Sequence, residues 1–380
     1  MDTLTHGLAG ALLARSLPST GDEGLDRTLA RREAWAGFAA AMFPDADVFV
    51  SPFSAEFYIT QHRALTHSFV TLPAWILVLT ALAALRLSPS LGPPGSQARR
   101  TAVRRLGAIV ALGLVSHILM DWITSWGTMF LSPLSWTRYT LDWTFILDAA
   151  LSGVLALGLV GVRLVSRRSL TRSRAAARAG LLAATAYVGL CAVRHGEALR
   201  LADALGTAIA RRAAIPQPGS PDRWLLISDD GSAVTAAFVD LAKSGREGAR
   251  PPDAEELART GFRSGFLNLF RHLGAVYRSR DDLAPRAIEK ANGPFAARAL
   301  DSGVAGVFGR FARFPAAREE AKGGGVEVLV RDVRFGYLSS EVDPFTYIVR
   351  YAADGTFLFA GFPSSRWSQT ARAGPVDVAR

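Results

Sequence analysis

The chain has 380 residues, 49% hydrophobic and 20% charged, with a net charge of +10. Its single cysteine, Cys191, excludes an internal disulfide and any cysteine-based metal site. The basic excess sits in short arginine runs beside apolar segments (Arg27 to Arg32, Arg99 to Arg105, Arg163 to Arg178), a pattern of membrane topology, so no nucleic-acid partner is expected.

In chain order, two short polar-broken segments come first, Leu4–Leu17 and Ala34–Val50, read as half-depth or tilted helices. The N-terminus does not read as a signal peptide, because Met1-Asp2 lacks a positive start and His6 interrupts the apolar stretch. Phe69–Leu87, Leu106–Ile123 and Phe145–Val165 approach the roughly 20 apolar residues that cross a bilayer. Ala179–Val193 is shorter but almost uncharged. After His195 the composition turns to that of a soluble domain. Trp224–Ser228 and Ala233–Val239 flank Asp229-Asp230-Gly231 as a hairpin. Asp253–Arg280 follows Pro251-Pro252 and reads as a helix. Val326–Tyr337, Thr346–Tyr351 and Thr356–Phe362 read as strands, the last two joined at Asp354-Gly355. The expected fold is mainly α: a multi-pass membrane helical bundle carrying a metal site over residues 1–195, a small soluble α+β domain over 196–363, and a disordered tail over 364–380.

The chemistry-bearing residues crowd the membrane half. Four of the six histidines lie there (His6, His62, His67 and His117), with Asp45, Asp47, Asp121, Asp142 and Asp148 close to them in sequence. His117 and Asp121 are four apart on an apolar helix and share one face. Buried in hydrocarbon, such a pair needs a partner, water or an ion, and mixed nitrogen and oxygen donors suit Zn, Mn or Fe. Each residue also has an ordinary structural reading. His117 and Asp121 can tie two helices together, His62 and His67 can cap or face solvent, and Asp45 and Asp47 can cap a helix end. Their sorting decides between the readings. With the arginine runs on the cytoplasmic side, every candidate falls at the opposite helix ends, a distribution that unrelated polar groups do not produce. Six segments that begin outside also end outside, which places the site and the C-terminal domain on the extracytoplasmic side of the inner (cytoplasmic) membrane.

The fragments MDTLTHG, FPDAD, HRALTHS, HILMDWITSWGT with its following PLS, and LDWTFILD, in this order and spacing, resemble the YdjM-like family of membrane-bound metal-dependent hydrolases. The resemblance covers roughly residues 1–165. It implies that His6, Asp45, His62, His67, His117 and Asp121 are metal ligands, with Asp47, Asp142 and Asp148 as further ligands or carboxylates that orient a ligand histidine. Through a distant kinship with zinc-dependent phospholipase C and P1 nuclease it also implies phosphoester hydrolysis and a lipid or lipid-linked substrate.

The function expected is therefore hydrolysis of an ester or phosphoester by a metal-activated water. Two or more divalent ions, Zn favoured, are held by His6, Asp45, His62, His67, His117, Asp121 and Asp148, with Asp142 or Asp47 taking the proton. Arg63 and Arg138 are read as interfacial charges or anionic-headgroup contacts. Trp122, Trp126, Trp136 and Trp143 are read as an interfacial belt. Two rival readings stand beside this one, a divalent-cation transporter and a non-catalytic membrane scaffold.

Overall fold

A computed structural model of the chain describes residues 1–50, 55–206, 211–245, 276–301, 304–335 and 346–362. Contacts divide the chain into two units. One comprises Met1–Phe49, Gln61–His195 and Pro216–Pro221, the other Val50–Thr60, Gly196–Ile215 and Asp222–Arg380.

The first unit is helical. Helix α1 (Thr3–Ser16) starts at Asp2, whose carboxylate caps the Thr5 amide, and α2 (Glu23–Met42) starts at Asp22, which caps Leu25. Pro44 comes next, within a 3-10 stretch, Phe43–Val50. Helix α3 (Ala55–Gln61), which belongs to the second unit up to Thr60, comes before the short turn Leu65–His67 and α4 (Leu72–Arg86). Then come α5 (Gln97–Trp122), α6 (Ala149–Ser166) and α7 (Leu170–Ala202). Small residues let these helices touch backbone to backbone. A Cβ on Gly10 would lie 2.2 Å from the Gly37 carbonyl, and one on Gly158 would lie 3.1 Å from the Gly180 Cα. Leu12, Leu151, Leu155 and Val162 fill the core where α1 meets α6 and α7, while Ala40, Val110 and Leu114 fill it between α2 and α5.

Among the described residues, three helices are long and apolar enough to cross a membrane, or four if the bent pair Glu56–His67 with Leu72–Arg86 counts as one span. At about 1.5 Å per residue, the 26 residues of α5 reach about 39 Å and the 18 of α6 about 27 Å, against a hydrocarbon core of roughly 30 Å. The two earliest segments, read as half-depth or tilted helices, are not among these candidate spans. Helix α1 has only 14 residues, and α2 begins in charged sequence at Glu23, well before the apolar stretch that signalled it. Parity over six crossings therefore carries no topology.

The second unit holds two four-stranded antiparallel sheets, each in sequential order. The first comprises β1 (Arg211–Pro216), β2 (Arg223–Asp229), β3 (Ala233–Asp240) and β4 (Arg286–Glu289). Two short helices, α8 (Pro294–Asp301) and α9 (Gly306–Phe311), precede the second sheet. That sheet comprises β5 (Pro315–Lys322), β6 (Gly325–Asp332), β7 (Tyr347–Tyr351) and β8 (Phe357–Gly361). Both expected hairpins form, with Gly231 at φ 100° and Gly355 at φ 84° in their turns. The expected helix Asp253–Arg280 lies outside the described residues except at its end. There Arg278 bridges to Val239 beside β3 instead of continuing a helix. The tail from Ser364 also lies outside them.

Asp229 is buried at the first hairpin. Its carboxylate takes Lys290 at 2.7 Å, Arg211 at 2.8 Å and the Gly231 amide at 2.9 Å. Burial pushes this carboxyl up, and those three donors outweigh it, holding it below the ordinary value. A depressed carboxylate contributes stability above its unfolded pKa, near 3.9, and loses it as pH falls through the folded value. Amide exchange in β2 and β3 of the full chain is expected to accelerate as pH falls below about 4, beyond the intrinsic pH dependence. Asp229→Asn should exchange faster at neutral pH and lose that acid-dependent step. An unchanged acid profile in the variant would show that another group sets it.

Candidate metal centre

The end of the bundle holding the start of α1 and the end of α5 collects imidazoles and carboxylates. Asp2 sets the first turn of α1, so His6 projects inward one turn later. It is fully buried and stacks on His117 with ring centroids 3.6 Å apart. This stacking depends on the close crossings of α1 and α5 with α2. A Cβ on Gly113 would lie 3.1 Å from both the Ala40 Cβ and the Ala41 amide nitrogen.

Tautomers follow from the hydrogen bonds. His117 Nδ1 lies 2.5 Å from the Ala41 carbonyl, which only accepts, so Nδ1 carries the proton. Thr66 Oγ1 donates to Asp47 Oδ2 at 3.3 Å and lies 2.9 Å from His67 Nδ1, which donates to it in turn. The two Nε2 atoms then face each other across 2.9 Å, a contact that either a shared proton or a metal ion between them would make favourable. Asp121 Oδ2 is 3.1 Å from His67 Nε2 and 3.3 Å from His117 Nε2. Asp45 Oδ1 is 3.7 Å and 3.5 Å from the same two nitrogens. A tetrahedral ion with bonds of about 2.0–2.1 Å has ligand-to-ligand edges of roughly 3.3 Å, so this spacing is that of a coordination shell. Asp121 Oδ2 is buried and accepts no hydrogen bond, as expected of an oxygen whose partner is an ion. The donor set Asp45, His67, His117 and Asp121 therefore fits a divalent metal.

A second group, Asp45, Asp47 and His62, shares Asp45 with the first. His62 Nδ1 is 2.8 Å from Asp47 Oδ1, and the Arg63 amide donates to Asp47 Oδ2 at 3.1 Å. Thr3 Oγ1 donates to Asp45 Oδ2 at 2.6 Å. Burial pushes both carboxyls up, and the surrounding imidazoles outweigh it, His117 and His67 at Asp45 and His62 at Asp47. Asp45 is held well below the usual carboxylate range, and Asp47 is lowered. Both are ionised, as ligands must be.

The structure thus brings Asp45, His67, His117 and Asp121 together, places Asp47 and His62 beside them, and sets His6 3.2 Å from Asp121 Oδ1. It does not bring in Asp148. That carboxylate caps α6 at the Leu151 amide and takes the Tyr187 hydroxyl at 3.0 and 2.9 Å, which corrects its assignment as a ligand. Asp142 also stands outside both groups, in a left-handed conformation at φ 55°, and accepts from Thr140 Oγ1 at 2.5 Å.

Arg63 is the residue whose role the sequence hid. It is 1% exposed at φ 65°, so it is no headgroup contact. Its Nη2 lies 2.9 Å from Asp121 Oδ1, and its Nη1 donates to Thr124 Oγ1 at 2.8 Å. The Met1 amino group pairs with the same Asp121 oxygen. With Oδ1 held by cations, Oδ2 is turned toward the imidazoles. The left-handed backbone costs of order 1–3 kcal/mol for such a residue, offset here by a buried ion pair. Trp126 is likewise buried, its ring 5.6 Å from His62, so it belongs to the wall of the site, not to a belt.

The family model described as YdjM inner membrane protein matches residues 1–198. No curated protein and no solved structure matches the chain. The matched region contains every residue of both donor groups, α5 and α6 whole and α7 up to its last turn, and it spans just over half of the 380 residues: the chain belongs to the YdjM inner membrane protein family.

Proposed function

We propose that this protein is a membrane-bound, metal-dependent hydrolase of an ester or phosphoester. The observation that carries the reading is the convergence of two imidazole nitrogens and two carboxylate oxygens at one buried point. Asp45, His67, His117 and Asp121 would hold one divalent ion. Asp45, Asp47 and His62 would hold a second, with Asp45 common to both. A divalent ion in such a site supplies Lewis acidity and lowers the pKa of water toward neutrality. Arg63 fixes the Asp121 carboxylate. Asp47 orients His62, and its half-buried oxygens can take a proton at the mouth of the site.

Exposed apolar side chains flank these residues in sequence: Leu4 before His6, Val48 and Phe49 after Asp47, and Leu65 between His62 and His67. Exposed apolar residues next to the polar ligands in sequence support an amphiphilic, lipid or lipid-linked substrate. The arginine runs at the opposite helix ends argue for a cytoplasmic arginine side and an extracytoplasmic site. Helix α7 starts at the arginine end and meets Asp148 at Tyr187.

The test is metal analysis of the purified full chain, followed by hydrolysis of a phosphodiester and phospholipid panel. Wild type is expected to retain one or two divalent ions and to lose hydrolysis on chelation. His117→Ala should retain less than a tenth of the first ion. Cation uptake into proteoliposomes without hydrolysis of any ester would replace this reading with transport. Equal metal in wild type and His117→Ala would leave a scaffold.

A further inference from the structure

We propose that the end of the helical unit opposite the metal centre is a binding surface for anionic phospholipid headgroups. The inference rests on reading α5, α6 and α7 as membrane spans, and it is independent of the hydrolase reading.

Residues 15–33, 86–105 and 163–178 contain fifteen arginines, four carboxylates and no lysine, a net charge of +11. The whole chain carries +10, so everything else nets −1. The three segments meet in space. Arg15 donates to Ser173 Oγ at 2.8 Å, Arg178 donates to the Ser16 carbonyl at 3.0 Å, Arg174 pairs with Asp26 at 2.6 Å, and Arg105 pairs with Glu33.

All four carboxylates are already engaged. Buried Asp26 and Glu33 take Arg174 and Arg105, Glu23 takes Arg27 at 2.6 Å, and Asp22 caps α2. Twelve of the fifteen arginines have no carboxylate partner among the described residues. Arg15 is one of them, lining a small cleft with Arg105, Arg174 and their partners Glu33 and Asp26. Fixed cations at this density repel one another and call for external anions.

Position selects lipid as the source of those anions. The arginines bracket the start of α5, the end of α6 and the start of α7. Leu85 and Leu164, beside Arg86 and Arg163, are 71% and 72% exposed. Arginine at headgroup depth with exposed leucine beside it at acyl depth is the arrangement of a side chain anchored in a bilayer interface. A soluble phosphate would use the cations and leave the leucines without purpose.

The full chain in zwitterionic detergent, titrated with phosphatidylglycerol or phosphatidylcholine and followed by thermal melting and native mass spectrometry, tests this. Phosphatidylglycerol is expected to raise the melting temperature and stay bound. Phosphatidylcholine should do neither, and 1 M salt, which shortens the screening length to about 3 Å, should remove the difference. The combined variant Arg100→Gln, Arg104→Gln, Arg168→Gln and Arg172→Gln changes only exposed arginines without carboxylate partners. It should weaken phosphatidylglycerol binding by up to roughly 1,000-fold while melting like wild type in detergent alone. Equal response to the two lipids, or wild-type affinity in the variant, overturns the proposal. Equal stabilisation by inorganic phosphate would assign the surface to a free anion. Should the variant fail to fold, the salt titration of wild type decides alone.

Discussion

Replacing Asp121 by asparagine is expected to abolish metal retention and to lower stability at the same time. One oxygen of this carboxylate faces the Nε2 atoms of His67 and His117 at 3.1 and 3.3 Å, and the other takes Arg63 at 2.9 Å. Asparagine is nearly isosteric, so packing is kept and the substitution acts through charge. The metal loses a hard anionic ligand, for which affinity should fall at least 100-fold, and Arg63, 1% exposed, is left without its counter-charge. Removing one partner of a buried ion pair costs about 3–5 kcal/mol, whereas replacing both by apolar groups is often neutral. The double variant Asp121→Asn with Arg63→Met should therefore recover most of the stability and none of the metal. Metal analysis and thermal melting of both variants read the two effects separately. Wild-type metal content in Asp121→Asn would remove the coordination reading. A double variant as unstable as the single one would show that Arg63 is not the source of the cost.

Much of this centre was legible because its chemistry is encoded locally. The His117 and Asp121 spacing of four fixes a shared face on any helix, and the sorting of His6, Asp45, His62 and His67 to helix ends needs only element boundaries. Arg63 was not legible. Its role depends on a left-handed backbone at one residue between two histidines, and no pattern of neighbours announces that conformation in an arginine. Asp148 was misread although its signal was present, since an aspartate immediately before an apolar helix is first of all an N-cap. In the second unit, β5 reads PAAREEAK, a run of helix formers. It is a strand because β6 offers it an eight-residue ladder, a case of tertiary pairing overriding propensity. β4 has only four residues, too few for alternation to show. The start of α2 escaped notice because its first turns are charged, and the arginine-end ion pairs that explain those charges are not local in sequence.

The helix crossing that assembles the site should be as sensitive as the ligands themselves. Gly10→Ala adds a single methyl group, yet that carbon would sit 2.2 Å from the Gly37 carbonyl oxygen and 2.5 Å from the Ala41 Cβ. Backbone cannot swing aside as a long side chain can, so α1 must move off α2. Overpacking of this kind costs about 1–3 kcal/mol and sometimes more. The displacement also reaches the metal centre, since His6 lies one turn before Gly10 and Ala41, whose carbonyl holds His117 Nδ1, lies at the contact. Gly10→Ala is therefore expected to lower both the melting temperature and the retained metal, with every ligand residue still present. The control is Gly153→Ala in α6, where an added Cβ meets nothing within 4 Å. Relief of glycine's backbone entropy predicts a gain of about 0.5–1 kcal/mol there, with metal content unchanged. If the two alanine variants melted alike and held equal metal, the close crossing of α1 and α2 would not be what brings the imidazoles together. If only Gly10→Ala lost metal, the pair of glycines would belong to the site as much as the histidines do, since ligand geometry here is set by how closely two backbones approach.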